Sequence, residues 1–258
     1  DEAKQFLQKA IQIHPDHADA HYNIGNVLIE LGEIQKAKNC YKKTIQINPN
    51  HADAHNNLGN VLKKLGEDQK AISSYKEAIK INPEYANAHN NLGLIFQELE
   101  EFQIAISSYR KAIEIEPHHA DAHNNLGNLL KESGDYKKAI SCFEKAIQTN
   151  PDYAEAHNNL GLVFYELGEI KKAISYFRKA IDLKPDYVHA HNNILFTLLC
   201  FEKEDSTYYL SQAKKFRSIL KPINDDLLLK YQFNIKPKKL RIGFVSGDFR
   251  EHPVGFFL

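Results

Sequence analysis

The sequence predicts an all-α solenoid of stacked helical hairpins, and three periodic features carry that reading. Pro15, Pro49, Pro83, Pro117, Pro151 and Pro185 fall at a constant interval of 34 residues. Ala20, Ala54, Ala88, Ala122, Ala156 and Ala190 keep the same step, each followed by His. Gly25, Gly59, Gly93, Gly127 and Gly161 share it. A fixed period of this length marks helix-turn-helix units that each touch only their neighbours and bury a continuous core. Such a rod encloses no pocket, so its function lies on the groove it forms or on whatever is joined to its end.

The elements follow in order. Residues 1–17 read as the second helix of a partial unit, with Ala3, Leu7, Ala10 and Pro15 in the expected places. Residues 18–187 read as five full units. With Ala18 as position one, Ile24, Gly25, Val27, Leu28 and Leu31 fall at helical spacing on a first helix. Gly32 breaks it, as Gly66, Gly134 and Gly168 do elsewhere. A second helix carries Ala37, Tyr41, Thr44 and Ile45. Pro49 ends it, because proline lacks a donor and restricts the residue before it. Gly25 and Ala37 let two helix backbones approach closely, and Tyr41 fills the space between units. Two departures, Glu100 in place of the turn Gly and Thr44 in place of an Ala, are expected to leave the fold intact.

Residues 188–221 hold a further first helix, with Leu195 in the glycine position, and a capping helix. Leu210, Ala213, Phe216 and Leu220 form the cap's inner face, with Lys214, Lys215 and Arg217 outside. Pro222 stops it. Residues 222–239 read as a linker, with a short apolar helix around 227–233 and the basic residues Lys236, Lys238 and Lys239. In 240–258 the character changes. Leu240, Ile242, Phe244 and Val245 are strand-prone, and Ser246-Gly247-Asp248 reads as a turn. A strand needs a sheet, so this segment reads as the truncated start of another domain.

Charge is balanced, 33 basic against 33 acidic residues, which removes any global attraction to nucleic acid or an anionic membrane. No apolar run approaches a membrane span. The chain opens on Asp1 in mid-unit, so the true N-terminus is expected to lie upstream. Cys40 and Cys142 occupy the place of Ser74 and Ser108, and with Cys200 they form no disulfide framework. A reducing, cytoplasmic setting is expected.

The pattern Leu58-Gly59, Ala71, Tyr75, Ala78 and Pro83 resembles the tetratricopeptide repeat. That resemblance implies a right-handed superhelix whose first helices line a concave groove. Asn23, Asn57, Asn91, Asn125, Asn159 and Asn193 recur at position six, on a helical face shared with positions two, five and nine. An amide bonds both groups of a peptide unit, so this column can hold an extended client protein or peptide by its backbone. The alternative is that each position-six Asn bonds the backbone of the adjacent unit and serves packing. Asn56 and its equivalents at position five are expected to be a solvated groove face. His21, His55, His89, His123, His157 and His191 recur at position four. Successive units hold them about 10 Å apart, too far to converge on one metal ion, so they read as packed or hydrogen-bonded. His118-His119 reads as a solvated turn. Asp19, Asp53, Asp121 and Glu155 complement helix N-termini.

The tail from Leu240 to Gly255, with its Asp248-Phe249 and His252-Pro253, resembles the start of the catalytic region of protein O-GlcNAc transferases, the SPINDLY-type branch in particular. Those proteins join such repeats to a two-lobed α/β domain of the GT-B type. The resemblance implies a parent that transfers sugar from UDP-GlcNAc, or another sugar nucleotide such as GDP-fucose, to Ser or Thr. It places His252 by the acceptor site, as a base or a positioning group. The nucleotide-binding residues lie mostly in the second lobe, so this chain is expected to bind clients and no cofactor, and to be inactive as a transferase. The other expectation is a scaffold that binds proteins or self-associates through its convex face or cap, with no enzymatic role.

Overall fold

The computed structural model describes residues 13–201 and 211–216. Helices come in pairs: α1 (Ala18–Glu30) with α2 (Ile34–Ile47), α3 (Ala52–Lys64) with α4 (Asp68–Ile81), and α5 (Ala86–Glu98) with α6 (Phe102–Ile115). The order continues with α7 (Ala120–Glu132) and α8 (Tyr136–Thr149), α9 (Ala154–Glu166) and α10 (Ile170–Leu183), then α11 (Val188–Phe201). Residues 211–216 are helical, within the expected cap, and Phe216 is buried and stacked on His191 with ring centres 5.6 Å apart. The partial unit before residue 13 and the segments 222–239 and 240–258, with the expected strand and His252, lie outside the described residues. Among the described residues no helix is long and apolar enough to cross a membrane.

Each pair closes the same way. The first helix ends in a Schellman turn: Glu33 N–H donates to Leu28 O at 2.8 Å and Gly32 N–H to Ile29 O at 3.0 Å. Gly32, Gly66, Gly134 and Gly168 take positive φ near 70–80° there, as the motif requires. The third unit makes the same two bonds, Glu101 to Phe96 and Glu100 to Gln97. Glu100 is thereby held at φ 61°, and it is the one positive-φ residue other than glycine among those described. A side chain in that region costs about 1–2 kcal/mol. Glu100→Gly is therefore expected to raise stability by about 1 kcal/mol, read as a higher urea midpoint with an unchanged slope.

The second helices stop before proline. Asn48, Asn82 and Asn150 are extended at the C-cap, as a residue before proline should be. Their Oδ1 atoms accept from the backbone two residues on at 3.1–3.2 Å, which shapes the turn to the next unit. Thr44, buried in an alanine's place, satisfies its hydroxyl on Cys40 O at 3.0 Å.

The core runs lengthwise. Ile24, Leu28, Ala37 and Tyr41 of the first unit join Leu58, Val61, Ala71 and Tyr75 of the second and Leu92 and Ile95 of the third in one cluster. At its centre an aromatic ring lies on a glycine of the same unit. A Cβ at Gly25, Gly59, Gly93, Gly127 or Gly161 would sit 2.5–2.7 Å from a ring carbon of Tyr41, Tyr75, Tyr109, Phe143 or Phe177. The glycine thus admits a ring to the backbone, where sequence reasoning foresaw only two helices drawing close.

Candidate functional site

The first helices carry the site, and their polar residues are tied from unit to unit. Asn91 Nδ2 donates to Asn56 Oδ1 at 3.0 Å, Asn125 to Asn90 at 3.0 Å, Asn159 to Asn124 at 3.0 Å and Asn193 to Asn158 at 2.8 Å. Position six of one unit therefore bonds position five of the unit before it. The first seam is a variant, because Tyr22 stands at position five. There Asn57 Nδ2 donates to the Tyr22 hydroxyl at 3.2 Å and to Asn26 Oδ1 at 3.1 Å. Asn56 Nδ2 donates back to Asn57 Oδ1 at 3.2 Å.

This corrects the expectation for position five. Asn56, Asn90, Asn124 and Asn158 are not a solvated face; they are only 3–5 % exposed, sealed in the seams as acceptors. Asn192, in the last unit, is exposed. Helical period places a residue on a face of its own helix, but the neighbouring helix decides whether that face is covered. Position six stays half-buried at Asn57, Asn91, Asn125, Asn159 and Asn193, and exposed at Asn23. The anticipated bond to the adjacent unit exists, made to a side chain and not to backbone. Among the described residues no asparagine side-chain atom is both sealed and unpartnered. What the ladder leaves unused on Asn91, Asn125 and Asn159 therefore meets solvent.

Position nine completes the floor. Tyr41 donates its hydroxyl to Asn26 Oδ1 and Tyr75 to Asn60 Oδ1, both at 2.8 Å. In the third unit Leu94 takes that position, and Tyr109 donates instead to Gln97 Oε1 at 2.8 Å. Burial pushes the Tyr41 hydroxyl up to about 12 and raises Tyr75 and Tyr109 too, so all three remain donors at ordinary pH. Across the first three units these side chains line a groove of about 470 Å³. Asn26, Asn57, Asn60 and Asn91 supply amides, Ile29 and Leu94 supply apolar surface, and Glu30, Lys63 and Lys64 supply charge.

A second line of ties binds the turns. At four joints the residue before the first helix meets position two of the preceding unit, and at the fifth Lys184 pairs with Glu155 instead. His51 Nε2 faces Asp19 at 3.5 Å, Tyr85 donates to Asp53 at 2.5 Å, His119 Nε2 pairs with Asn87 Oδ1 at 3.0 Å, and Tyr153 donates to Asp121 at 2.7 Å. His17, His51 and His119 also cap their helices, each Nδ1 accepting a backbone N–H at 3.2–3.3 Å. His119 is buried between these two partners, so the reading of His118-His119 as a solvated turn holds only for the exposed His118. The line was missed because its members alternate between His and Tyr. Their shared 34-residue step was the available signal.

The position-four histidines are hydrogen-bonded, as expected. Each Nε2 donates to the carbonyl of the proline six residues earlier, from His21 to Pro15 at 2.9 Å through His191 to Pro185 at 2.9 Å. In His123 and His157 the other nitrogen, Nδ1, is buried without a partner. Burial lowers both imidazoles below their ordinary value, and the Pro117 and Pro151 carbonyls oppose the shift in part. The unfolded chain then takes up the proton first as pH falls. The stability these neutral rings contribute is complete above about pH 6.5 and is lost as pH falls toward their depressed folded values. The urea midpoint is expected to start dropping as pH falls below about 6.5, before the carboxylates titrate, and His123→Phe with His157→Phe should flatten that slope.

Comparison with known proteins bears on this arrangement directly. Families described as TPR repeat and Tetratricopeptide repeat match residues 25–66, 59–100 and 127–168, then 86–119 and 154–187, then 6–39 and 108–141. The chain belongs to the tetratricopeptide-repeat family. Among curated proteins, none matches it by sequence. Among solved structures, the repeats are similar to YrrB, described as a TPR protein with an unusual peptide-binding site, at 25% identity and TM-score 0.53, over 72% of this chain and 96% of that one. They are similar to MamA at 30% identity and TM-score 0.54, over 63% and 95%. PilF of Pseudomonas aeruginosa shares the fold, with 21% identity, TM-score 0.68, and 78% and 95% covered.

Proposed function

We propose that this tetratricopeptide-repeat stack is a protein-binding scaffold whose first-helix groove holds an extended segment of a client by its backbone. The observation that carries this is the amide ladder. Asn91, Asn125 and Asn159 are each anchored by one Nδ2 hydrogen to the unit before. Anchoring fixes their orientation before any client arrives, so little further ordering opposes binding. Packed helices lie about 10 Å apart, so the amides would meet an extended chain roughly every third residue. Recognition of this kind tolerates many sequences, with the apolar floor at Ile29 and Leu94 adding preference for some side chains. The similarity to YrrB is consistent with this use of a groove.

The test is fluorescence anisotropy with labelled ten-residue peptides and their scrambled forms. Scrambling should change affinity little. Asn91→Ala with Asn125→Ala should weaken binding about tenfold or more while light scattering shows an unchanged oligomeric state. Unaltered peptide affinity in a variant that still melts cooperatively would remove the groove assignment.

A finer reading rests on the tail alone. There the groove would deliver proteins to a following sugar-transfer domain resembling O-GlcNAc transferases, using UDP-GlcNAc or GDP-fucose, with His252 beside the accepting hydroxyl and the whole protein in the cytoplasm. The coding sequence after Leu258 tests it. A two-lobed α/β region supports the transferase, and an immediate stop leaves the scaffold.

A further inference from the structure

The third unit breaks the pattern of its neighbours at the turn between its helices, and none of Leu99, Phe102 and Ile104 lines the groove. In the other four units a lysine on the first turn of the second helix pairs with the acid three residues before it: Lys36 with Glu33, Lys70 with Glu67, Lys138 with Asp135 and Lys172 with Glu169. The third unit has Ile104 opposite Glu101. Its second helix opens on Phe102, an apolar position in the first, fourth and fifth units too, but Phe102 is exposed where Ile34, Tyr136 and Ile170 are half-buried, and the second unit carries Asp68 there. Leu99, Phe102 and Ile104 are 40 %, 45 % and 43 % exposed, three large apolar side chains within six residues. Leu99 also borders the second unit's turn, closing a shallow hollow with Gly66, Glu67, Asp68 and Lys70, whose ammonium is held by Glu67.

Charge changes with the apolar residues. Residues 98–104 hold Glu98, Glu100 and Glu101 and no base, a balance of −3. The equivalent stretches 64–70, 132–138 and 166–172 each balance at zero, two acids against two lysines, and 30–36 balances at −1. Lys63 of the preceding unit pairs with Glu98 at 2.7 Å, which leaves Glu100 and Glu101 as the acids flanking the exposed residues. An apolar cluster alone would suit many occupants. Ringed by carboxylates, it repels acidic segments and favours one that brings cations around an apolar centre.

The geometry points to a second interaction surface at this turn, which binds a segment of a partner protein that alternates apolar residues with lysine or arginine. Apolar side chains of that segment would cover Leu99, Phe102 and Ile104, and its cations would face Glu100 and Glu101. A second copy of this chain fits less well, because the same turn on that copy would bring a like charge of −3.

The experiment uses the whole chain and two synthetic eighteen-residue amphipathic helices, one of leucine and lysine, the other of leucine and glutamate. The basic peptide is expected to bind, more weakly as salt rises, and the acidic one not to bind. Phe102→Asp with Ile104→Lys installs the residues that the second unit carries at those positions, so the fold is kept. That variant should lose at least tenfold in affinity for the basic peptide, with an unchanged melting curve and unchanged binding of groove peptides. Equal affinity in variant and wild type overturns the proposal, as does equal binding of the acidic peptide. Concentration-dependent self-association that the variant abolishes also overturns it, in favour of a contact between copies.

Discussion

Tyr109→Ala is expected to cost about 3–5 kcal/mol, the range for truncating a fully buried aromatic side chain. The ring is sealed from solvent, touches the backbone at Gly93 and ties its hydroxyl to Gln97. Its loss leaves a void on the axis of the stack and an amide without its donor. Gly93→Ala attacks the same contact from the other side. A Cβ there would lie 2.6 Å from Tyr109 Cε1, inside any permitted approach, and a ring packed on all sides has no room to retreat. Overpacking of this kind costs about 1–3 kcal/mol, against which alanine returns about 0.5–1 kcal/mol of helix propensity. The decisive measurement is the double variant. With the ring gone the alanine has space, so Gly93→Ala should turn from destabilising to neutral or better, a coupling visible in urea unfolding. Additive costs would mean that the glycine serves something other than the ring.

The second large effect lies in the seam. Asn90→Leu removes a buried acceptor and leaves the Asn125 amide facing a hydrocarbon. A polar group stranded in this way costs about 1–3 kcal/mol. Because each unit contacts only its neighbours, the damage should centre on the joint between the third and fourth units. Hydrogen exchange should then show faster opening on both sides of that joint, with the outer units least affected. Asn90→Leu with Asn125→Leu should recover much of the loss, since removing both partners strands neither. A single variant as stable as the parent would show that the amide ladder contributes nothing to joining the units.

Much of this architecture was legible from spacing. Prolines and turn glycines marked the helix boundaries to within a residue or two, because each reflects a local backbone demand. The histidine bonds to proline carbonyls were legible in kind, since ligands held a helix width apart cannot converge on a metal. Relations between units were not. Asn56 and Asn57 are adjacent amides on one helix, yet Asn57 remains half-open while Asn56 is sealed, and only the neighbouring helix makes that difference. His119 escaped for the same reason: its partner Asn87 stands 32 residues away, in the previous unit. The departures in the third unit were visible as letters, but Glu100 was noted as tolerable and Ile104, in the place of a lysine, passed unnoticed. A periodic reading attends to what repeats.

The division of labour among these ties bears on how such a chain can change length. Each imidazole closes on a carbonyl of its own hairpin's approach, while the amide ladder presents the same pair of partners at successive joints. From the second unit on, excising or copying a whole 34-residue module would rejoin the amide ladder like with like, donor to acceptor. That part of the stack can therefore grow or shrink in whole steps by duplication of its gene segment.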